Sequence, residues 1–173
     1  LALDGADAIP SLASFDRVIL LMPSLDGLGT HLSDIMSWVS AGGSLMLAMP
    51  PDNSGYLQAI APKLGIESAG YDYVKAESIV PSEDFMLGGG ERYELSDPFD
   101  SSLSVSLRET AREWAKTGDA GAPLIWSNDC GSGHTVVCNI GIYDKVMRGF
   151  YAAAISLLGD ATAYPVINSA VFY

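Results

Sequence analysis

Positive charge is what this sequence has least of. Lys and Arg together number nine against 21 Asp and Glu, a formal net charge of -12. Nucleic acids are held by cationic side chains that neutralise phosphates, so this balance argues against a nucleic-acid partner. It argues equally against an anionic membrane surface. Histidine is scarcer still, with only His31 and His134. Neither has a Cys, Asp or His at convincing ligand spacing, so no metal site and no cofactor is expected.

Long apolar runs are missing too. None approaches the roughly 20 residues of a membrane span, so no membrane insertion is expected. No charged segment followed by an apolar one marks a secretory leader. The chain starts at Leu1 rather than Met and stops inside the apolar run "YPVINSAVFY". The expectation is a piece of a longer protein, with 164–173 starting a connection to a following domain. Two cysteines make no disulfide framework. A hairpin turning at Cys130–His134 would set Cys138 opposite Trp126. Cys130 would then lie roughly 13 Å away along the strand at about 3.3 Å per residue. That exceeds the ~7 Å limit for a bridge, so two free thiols are expected.

What is present is a core. Of the 173 residues, 49% are apolar, enough for one ordinary domain covering 1–173. After a short lead-in (1–14), "RVILLMP" (17–23) reads as a strand buried on both faces. Leu32, Ile35, Met36 and Val39 recur at helical spacing, with Thr30 as N-cap and Gly42-Gly43 as the stop. "SLMLAMP" (44–50) is a second buried strand. Asp52-Asn53-Ser54 offers caps for a helix carrying Leu57, Ile60, Ala61 and Leu64, which Gly65 ends and Pro62 should shorten or kink.

Strand, helix, strand, helix is the α/β pattern. Residues 66–107 interrupt it with weak alternation, predicting an excursion of short strands at the sheet edge. "RETAREWAK" (108–116) reads as a short helix with Ala111, Trp114 and Ala115 on one face. "PLIWSND" and "HTVVCNIGI" read as strands. Asp144 can cap a last helix using Val146, Met147, Phe150, Ala154 and Leu158. "VINSAVFY" reads as a final strand.

Few stretches hold the parts of a reactive site. "SNDCGSGHTVV" (127–137) places Asp129, Cys130 and His134 within six residues. A cysteine nucleophile needs its base within hydrogen-bond reach and a third group to orient that base. Nearness across a turn does not provide this, and "CGSG" between alternating segments reads as a hairpin loop. The loop "DGLGTH" (26–31) follows a strand and opens a helix, where backbone amides can cradle a phosphate. It lacks both phosphate-loop patterns and reads as a turn. No GxSxG elbow occurs, and Ser54 is explained as a helix cap. In open α/β sheets ligands bind beyond the carboxyl ends of the strands. The ligand-binding candidates there are Ser24, Asp26, Asp52, Asn53, Tyr143 and Asp144.

A larger pattern carries a resemblance. "SFDRVILLMPSLDGLGTHLSDIMSWVSAGGSLMLAMP" runs from an Asp through a buried strand, a loop, a helix with Trp38-Val39 and Gly42-Gly43 to a buried strand. "PLIWSNDCGSGHTVVCNIGIYDK" supplies a late hairpin with a Gly-x-Gly turn and Gly141 before the last helix. Together these resemble the class I glutamine-amidotransferase-like superfamily, in the group with β-galactosidase accessory domains. They cover about 17–50 and 123–158. The resemblance implies a three-layer, flavodoxin-like α/β sandwich with a mainly parallel sheet and a late antiparallel hairpin. It also implies that the first strand–helix unit is missing or displaced.

That family's nucleophilic Cys stands in the turn after the strand following Gly-Gly. Here the turn reads "AMPPD" (48–52), with neither Cys nor Ser. The family's His would follow the late strand, where this sequence has Gly141-Ile142-Tyr143. "YPVINSAVFY" further resembles a bacterial family in which such a domain precedes a polysaccharide deacetylase domain, comparable to the middle domain of Pel-type exopolysaccharide-modifying proteins. The resemblance implies a non-catalytic, extracytoplasmic accessory domain. Its partners would be flanking domains and a polysaccharide or amino sugar. The alternative is a small hydrolase using Cys130 and His134 or a nucleophile of loop 24–31.

Overall fold

The computed structural model describes residues 11–21, 24–48, 52–85, 87–141 and 147–159. Its frame is one seven-stranded sheet with helices on both faces. The strands are β1 (Arg17–Leu20), β2 (Ser44–Leu47), β3 (Ile66–Pro81), β4 (Tyr93–Leu107), β5 (Arg112–Thr117), β6 (Pro123–Cys130) and β7 (Gly133–Cys138). The helices are α1 (His31–Ser40), α2 (Gly55–Ile60) and α3 (Met147–Ser156). Strand order is β1-β2-β7-β6-β5-β3-β4.

The strand–helix–strand reading of the first half holds. α1 buries Leu32, Ile35, Met36 and Val39, the four residues of the apolar stripe. Thr30 occupies the N-cap position without a side-chain cap bond. Ser54 caps α2 by accepting from the Leu57 amide. Pro62 ends the α-helix early, and Ala61–Leu64 continues as a 3-10 turn closed by Gly65 at φ 73°. A proline has no amide to donate and crowds the preceding turn, so the helix tightens there.

Alternate residues of the central strands face opposite layers. Leu45, Leu47, Trp126 and Val137 pack under α1 and α2. Met46, Ile125, Val136 and Cys138 pack under α3 with Phe150 and Ala154. The four consecutive apolar residues Leu45, Met46, Leu47 and Ala48 are therefore all used, two on each side.

Several expectations need correction. The sheet is not mainly parallel: β1–β2 and β2–β7 are parallel, while the other four pairings are antiparallel. Parallel neighbours need a crossover of a dozen or more residues. The links β5–β6 and β6–β7 are far shorter, so those strands must reverse. β1 is not buried on both faces; among the described residues it pairs only with β2, and Ile19 is 47% exposed. Segment 108–116 is no helix. Its Arg112–Thr117 part pairs with both β6 and β3 as β5. A nine-residue helix is marginal alone, and two open strand edges offer a full ladder instead. Trp114 confirms the strand by donating its indole N–H to Ser127 Oγ at 2.8 Å across the pair. The Arg112 guanidinium stacks 4.0 Å over its ring.

The excursion 66–107 does lie at the sheet edge, but as two long strands. Register shifts between Ala69 and Ser78 bend the β3–β4 ribbon. Ile66 and Leu103 pack with α1 and α2, whereas Ala76, Ile79 and Phe99 pack with α3. The ribbon thus crosses from one face of the sheet to the other; bulges are the usual device for such a change of direction. Its outer strand carries Asp97, Pro98 and Asp100, which blunt an exposed edge. The predicted final strand 166–173, the cap Asp144 and Val146 lie outside the described residues.

Candidate functional site

The hairpin that holds Asp129, Cys130 and His134 has a two-residue turn, Gly131-Ser132, tighter than the sequence suggested. Cys138 stands opposite Ile125, one residue from the expected Trp126. Cys130 and Cys138 are both free thiols. Asp129 pairs directly with His134, and Cys130 with Gly133. Directly paired residues share a sheet face, and successive residues alternate. The carboxylate and the imidazole therefore lie on one face, with His134 Nδ1 3.1 Å from Asp129 Oδ1. Cys130 lies on the other face, buried against α1 with its Sγ 3.5 Å from Ser40 Oγ. The three side chains do not converge.

The turn is also at the wrong end of the sheet for a crevice site. His134 pairs with Ser44, the first residue of β2, so the turn lies at the amino ends of the parallel strands. Its glycines serve packing. Ser132 donates its amide to Ser40 O at 3.0 Å, and His134 donates to Gly43 O at 3.1 Å. The turn thereby satisfies a carbonyl at the C-terminus of α1, which has no partner within its own helix.

Thiol chemistry follows from burial. Cys138 is enclosed under α3, and its thiol is pushed up to about 12 by burial. At pH 8 the thiolate fraction of Cys138 is about one part in ten thousand. Both cysteines are buried, so the native protein should label slowly at each and rapidly only once unfolded. A thiol-reagent time course checks this; fast labelling of Cys130 alone would favour a reactive centre. The same shift has a pH consequence. A group whose folded value is raised stabilises fully below its unfolded value, near 9, and that contribution falls as pH rises toward 12. Replacing Cys138 by alanine should flatten the alkaline limb of the stability profile, as read by urea midpoints across that range.

The carboxyl ends of β1, β2 and β7 form the other candidate. The Ser24 hydroxyl donates to Asp52 Oδ2 at 3.3 Å and accepts from the Asp26 amide at 3.2 Å. One hydroxyl thus joins the loop after β1 to the segment after β2. Asp52 Oδ1 is sealed from solvent without a hydrogen-bond partner. Asn53 Nδ2 donates to Ala69 O at 3.1 Å and Gly70 O at 3.0 Å, and Gln58 holds its Oδ1 at 3.3 Å. Four of the six ligand-binding candidates are therefore brought to one end of the sheet. Tyr143 and Asp144 lie outside the described residues.

Sequence reasoning missed the wall that the ribbon adds to this end. Asn139, at the end of β7, is fully buried. Its side chain accepts from Leu103 N at 2.9 Å and donates to Leu103 O at 2.8 Å and Pro123 O at 3.2 Å, while its carbonyl accepts from Ser102 Oγ. Leu103 pairs with Tyr73. Asn53 on one side and Asn139, through Leu103, on the other therefore hold the two ends of the stretch from Ala69 to Tyr73. Tyr71 is 81% exposed and Tyr73 is 57% exposed there. Tyr56, 42% exposed, stands in the first turn of α2, three residues after Asn53. The signal for these residues was the alternating "YDY" of 71–73. At the foot of the ribbon a groove of about 280 Å³ lies between α2 and β3, lined among others by Gln58, Glu67, Ser68 and Arg108.

Among the described residues no group of three His, Cys, Asp or Glu could hold a metal ion, and no helix is long and apolar enough to cross a membrane.

Three parallel strands, antiparallel pairings through the rest of the seven-stranded sheet and helices on both faces define a mixed α/β domain. The chain belongs to a family described as an uncharacterised protein conserved in bacteria (DUF2194), whose model matches residues 3–111 and 93–173. No curated protein matches it. Among solved structures it is similar to Cytoplasmic Protein STM1381 from Salmonella typhimurium LT2, at 12% identity and TM-score 0.67, over 83% of this chain and 71% of that one. It is similar to the β-galactosidase from Bacillus circulans sp. alkalophilus at 17% identity and TM-score 0.58, over 84% of this chain. The β-galactosidase from Rahnella sp. R3 matches at 21% identity and TM-score 0.58, again over 84%. This chain spans 23% of the length of each of those two β-galactosidases. At these identities the likeness is one of fold.

Proposed function

We propose that this chain is a non-catalytic accessory domain of a bacterial polysaccharide-processing protein. In this reading it is a degenerate member of the class I glutamine-amidotransferase-like superfamily. It stands beside a deacetylase domain outside the cytoplasm, as in the Pel-type arrangement. It holds a flanking domain or a polysaccharide chain in place; it does not cut one.

The observation that carries the proposal is which side chains stand at the carboxyl ends of the parallel strands. The turn where the superfamily keeps its nucleophile reads Ala48-Met49-Pro50-Pro51-Asp52, with no thiol or hydroxyl. The side chains that do gather at this end, Ser24, Asp52 and Asn53, bind one another and the ribbon backbone. The match to a 23% share of two β-galactosidase chains supports a role as one part of a larger assembly.

The rival reading, a small hydrolase using Cys130 with His134 and Asp129, requires groups that lie on opposite faces of one hairpin. Substituting Cys130→Ser and His134→Ala in the full-length protein separates the two. Under the accessory reading, hydrolytic turnover of polysaccharide substrates is unchanged within about twofold, because no reacting atom is touched. Loss of turnover by a hundredfold or more would establish the hydrolase. Reading the natural chain beyond Tyr173 is an independent check: a pair of aspartates within a few residues supports the deacetylase neighbour.

A further inference from the structure

The two edges of the sheet are built differently. β4, at one edge, carries Asp97, Pro98 and Asp100, which discourage a further strand. β1, at the other, reads Arg17-Val18-Ile19-Leu20, and its one charge is occupied: Arg17 Nε donates to Leu158 O at 3.1 Å. Asp16 O and Leu20 O accept from the Ser44 and Ala48 amides, so these residues turn their carbonyls toward β2. Backbone groups alternate sides along a strand, so Arg17 and Ile19 turn theirs to the side where no described strand lies. Val18 and Leu20 pack toward α1. On the opposite face Ile19, and Leu21 just past the strand, are 47% and 72% exposed. A bare, apolar strand edge is a template for one more strand.

The course of the chain supplies that strand. β7, β2 and β1 run parallel. α3 follows β7, packs on the face opposite α1, and its end reaches Arg17, the first residue of β1. A chain that runs on from there along the sheet is parallel to β1. The step from β7 past β2 to the far side of β1 is opposite to the β1–α1–β2 step, and its helix lies on the opposite face. Reversing both keeps the hand, and parallel crossovers share one hand in nearly every case. Past Gly159, "DATAYP" (160–165) is a link of ordinary length between a helix and a strand. "VINSAVFY" (166–173) then holds Val166, Ile167, Val171, Phe172 and Tyr173, residues that favour strands. Pro165 falls at the entry, where a strand tolerates proline.

We propose that residues 166–173 add to the free edge of β1 as a parallel strand. Ile19 and Leu21 then gain cross-strand apolar neighbours, and the outward backbone groups of Arg17 and Ile19 gain ladder partners. The pairing does not depend on the accessory reading. Where that reading holds, a following domain starts from the sheet itself rather than from a loose tether.

Cysteine pairs in the full-length chain test this. Ile19→Cys is combined in turn with Asn168→Cys, Ser169→Cys, Ala170→Cys, Val171→Cys or Phe172→Cys. Pairing of all four β1 residues within 166–173 places Ile19 opposite one of these positions. Neighbouring strands stand about 4.8 Å apart, within disulfide reach. Mild oxidation should close an intramolecular disulfide at one position about tenfold or more faster than at the positions beside it, whose side chains point to the other face. In the unsubstituted chain, the Ile19 amide should exchange about a hundredfold more slowly than an unpaired edge amide. No closure, or equal closure at every position, overturns the proposal, since a loose tether reaches each position alike. Disulfides formed only between chains also overturn it and assign the edge to a second copy. Where a cysteine pair prevents folding, amide exchange decides: an Ile19 amide that exchanges as an open one sinks the pairing. Each of these negative results leaves the accessory reading standing.

Discussion

Gly133→Ala is expected to destabilise the protein by about 3 kcal/mol or more, the upper range of overpacking effects. A Cβ at this position would sit inside the contact distance of the Val39 carbonyl oxygen, with the Gly43 carbonyl oxygen beside it. Both are backbone atoms of the α1 C-terminus and the turn that follows, so no side-chain rotation relieves the clash. The hairpin would have to lift away, breaking the Ser132 amide bond to Ser40 O and the His134 amide bond to Gly43 O. Gly131 is constrained as well: its φ is 67°, and a Cβ there would meet Ser40 O at 2.5 Å. Ser132→Ala is the control, because only the exposed side chain of that residue is lost; it should be neutral within about 0.5 kcal/mol. Urea midpoints of the three proteins measure the difference. If Gly133→Ala still folds, the lifted hairpin should expose Cys130, and labelling of that thiol should accelerate well before global unfolding.

Asn139→Ala has the second largest expected effect, about 3 kcal/mol. The substitution leaves Leu103 N, Leu103 O and Pro123 O short of partners in a fully buried setting. Each buried polar group left unsatisfied costs about 1–3 kcal/mol. Asn139→Asp should be no rescue, since a carboxylate keeps the acceptor but cannot donate to the two carbonyls and adds a buried charge. The loss should be local before it is global. Amide exchange at Leu103 should quicken, and proteolysis should cut the ribbon first, because Asn139 is what pins β4 to the end of β7. Asn53→Ala offers the comparison. Its amide is partly exposed, water replaces its lost bonds, and the cost should stay near 1 kcal/mol.

Both predictions concern residues that the sequence made look different from what they are. "CGSG" between Asp129 and His134 suggested a nucleophile, and alternation on either side suggested a turn. The turn is what the fold uses, and the glycines are needed because a helix C-terminus presses on them. The split of Cys130 from His134 follows from strand alternation alone, once the register is known. The register itself was off by one residue, because turn length is set by the contact with α1. Asn139, by contrast, reads in the sequence as an ordinary polar residue near a strand end. Its partners Leu103 and Pro123 are 36 and 16 residues away in the chain, and no local pattern announces them.

The local periodicities of this chain are strong where helices and central strands were expected. The stripe of α1, the Ser54 cap, the Pro62 break and the double-sided apolar run of β2 follow from side-chain spacing, capping chemistry and the missing amide of proline. These the sequence determined by itself, together with the acidic balance that directs attention away from nucleic acid. Tertiary structure decided the rest. Segment 108–116 has helical spacing, yet two waiting strand edges made it β5, since ladder hydrogen bonds outweigh the weak preference of a short segment. Residues 66–107 alternate too weakly to reveal a single long ribbon, and its crossing from one face to the other depends on bulges fixed by distant partners. The placement of the stretch from Ala69 to Tyr73 was decided there as well, by two asparagines that close contacts between segments far apart in the chain. Spacing along a chain dictates which residues share a face; only the closed fold dictates which faces meet.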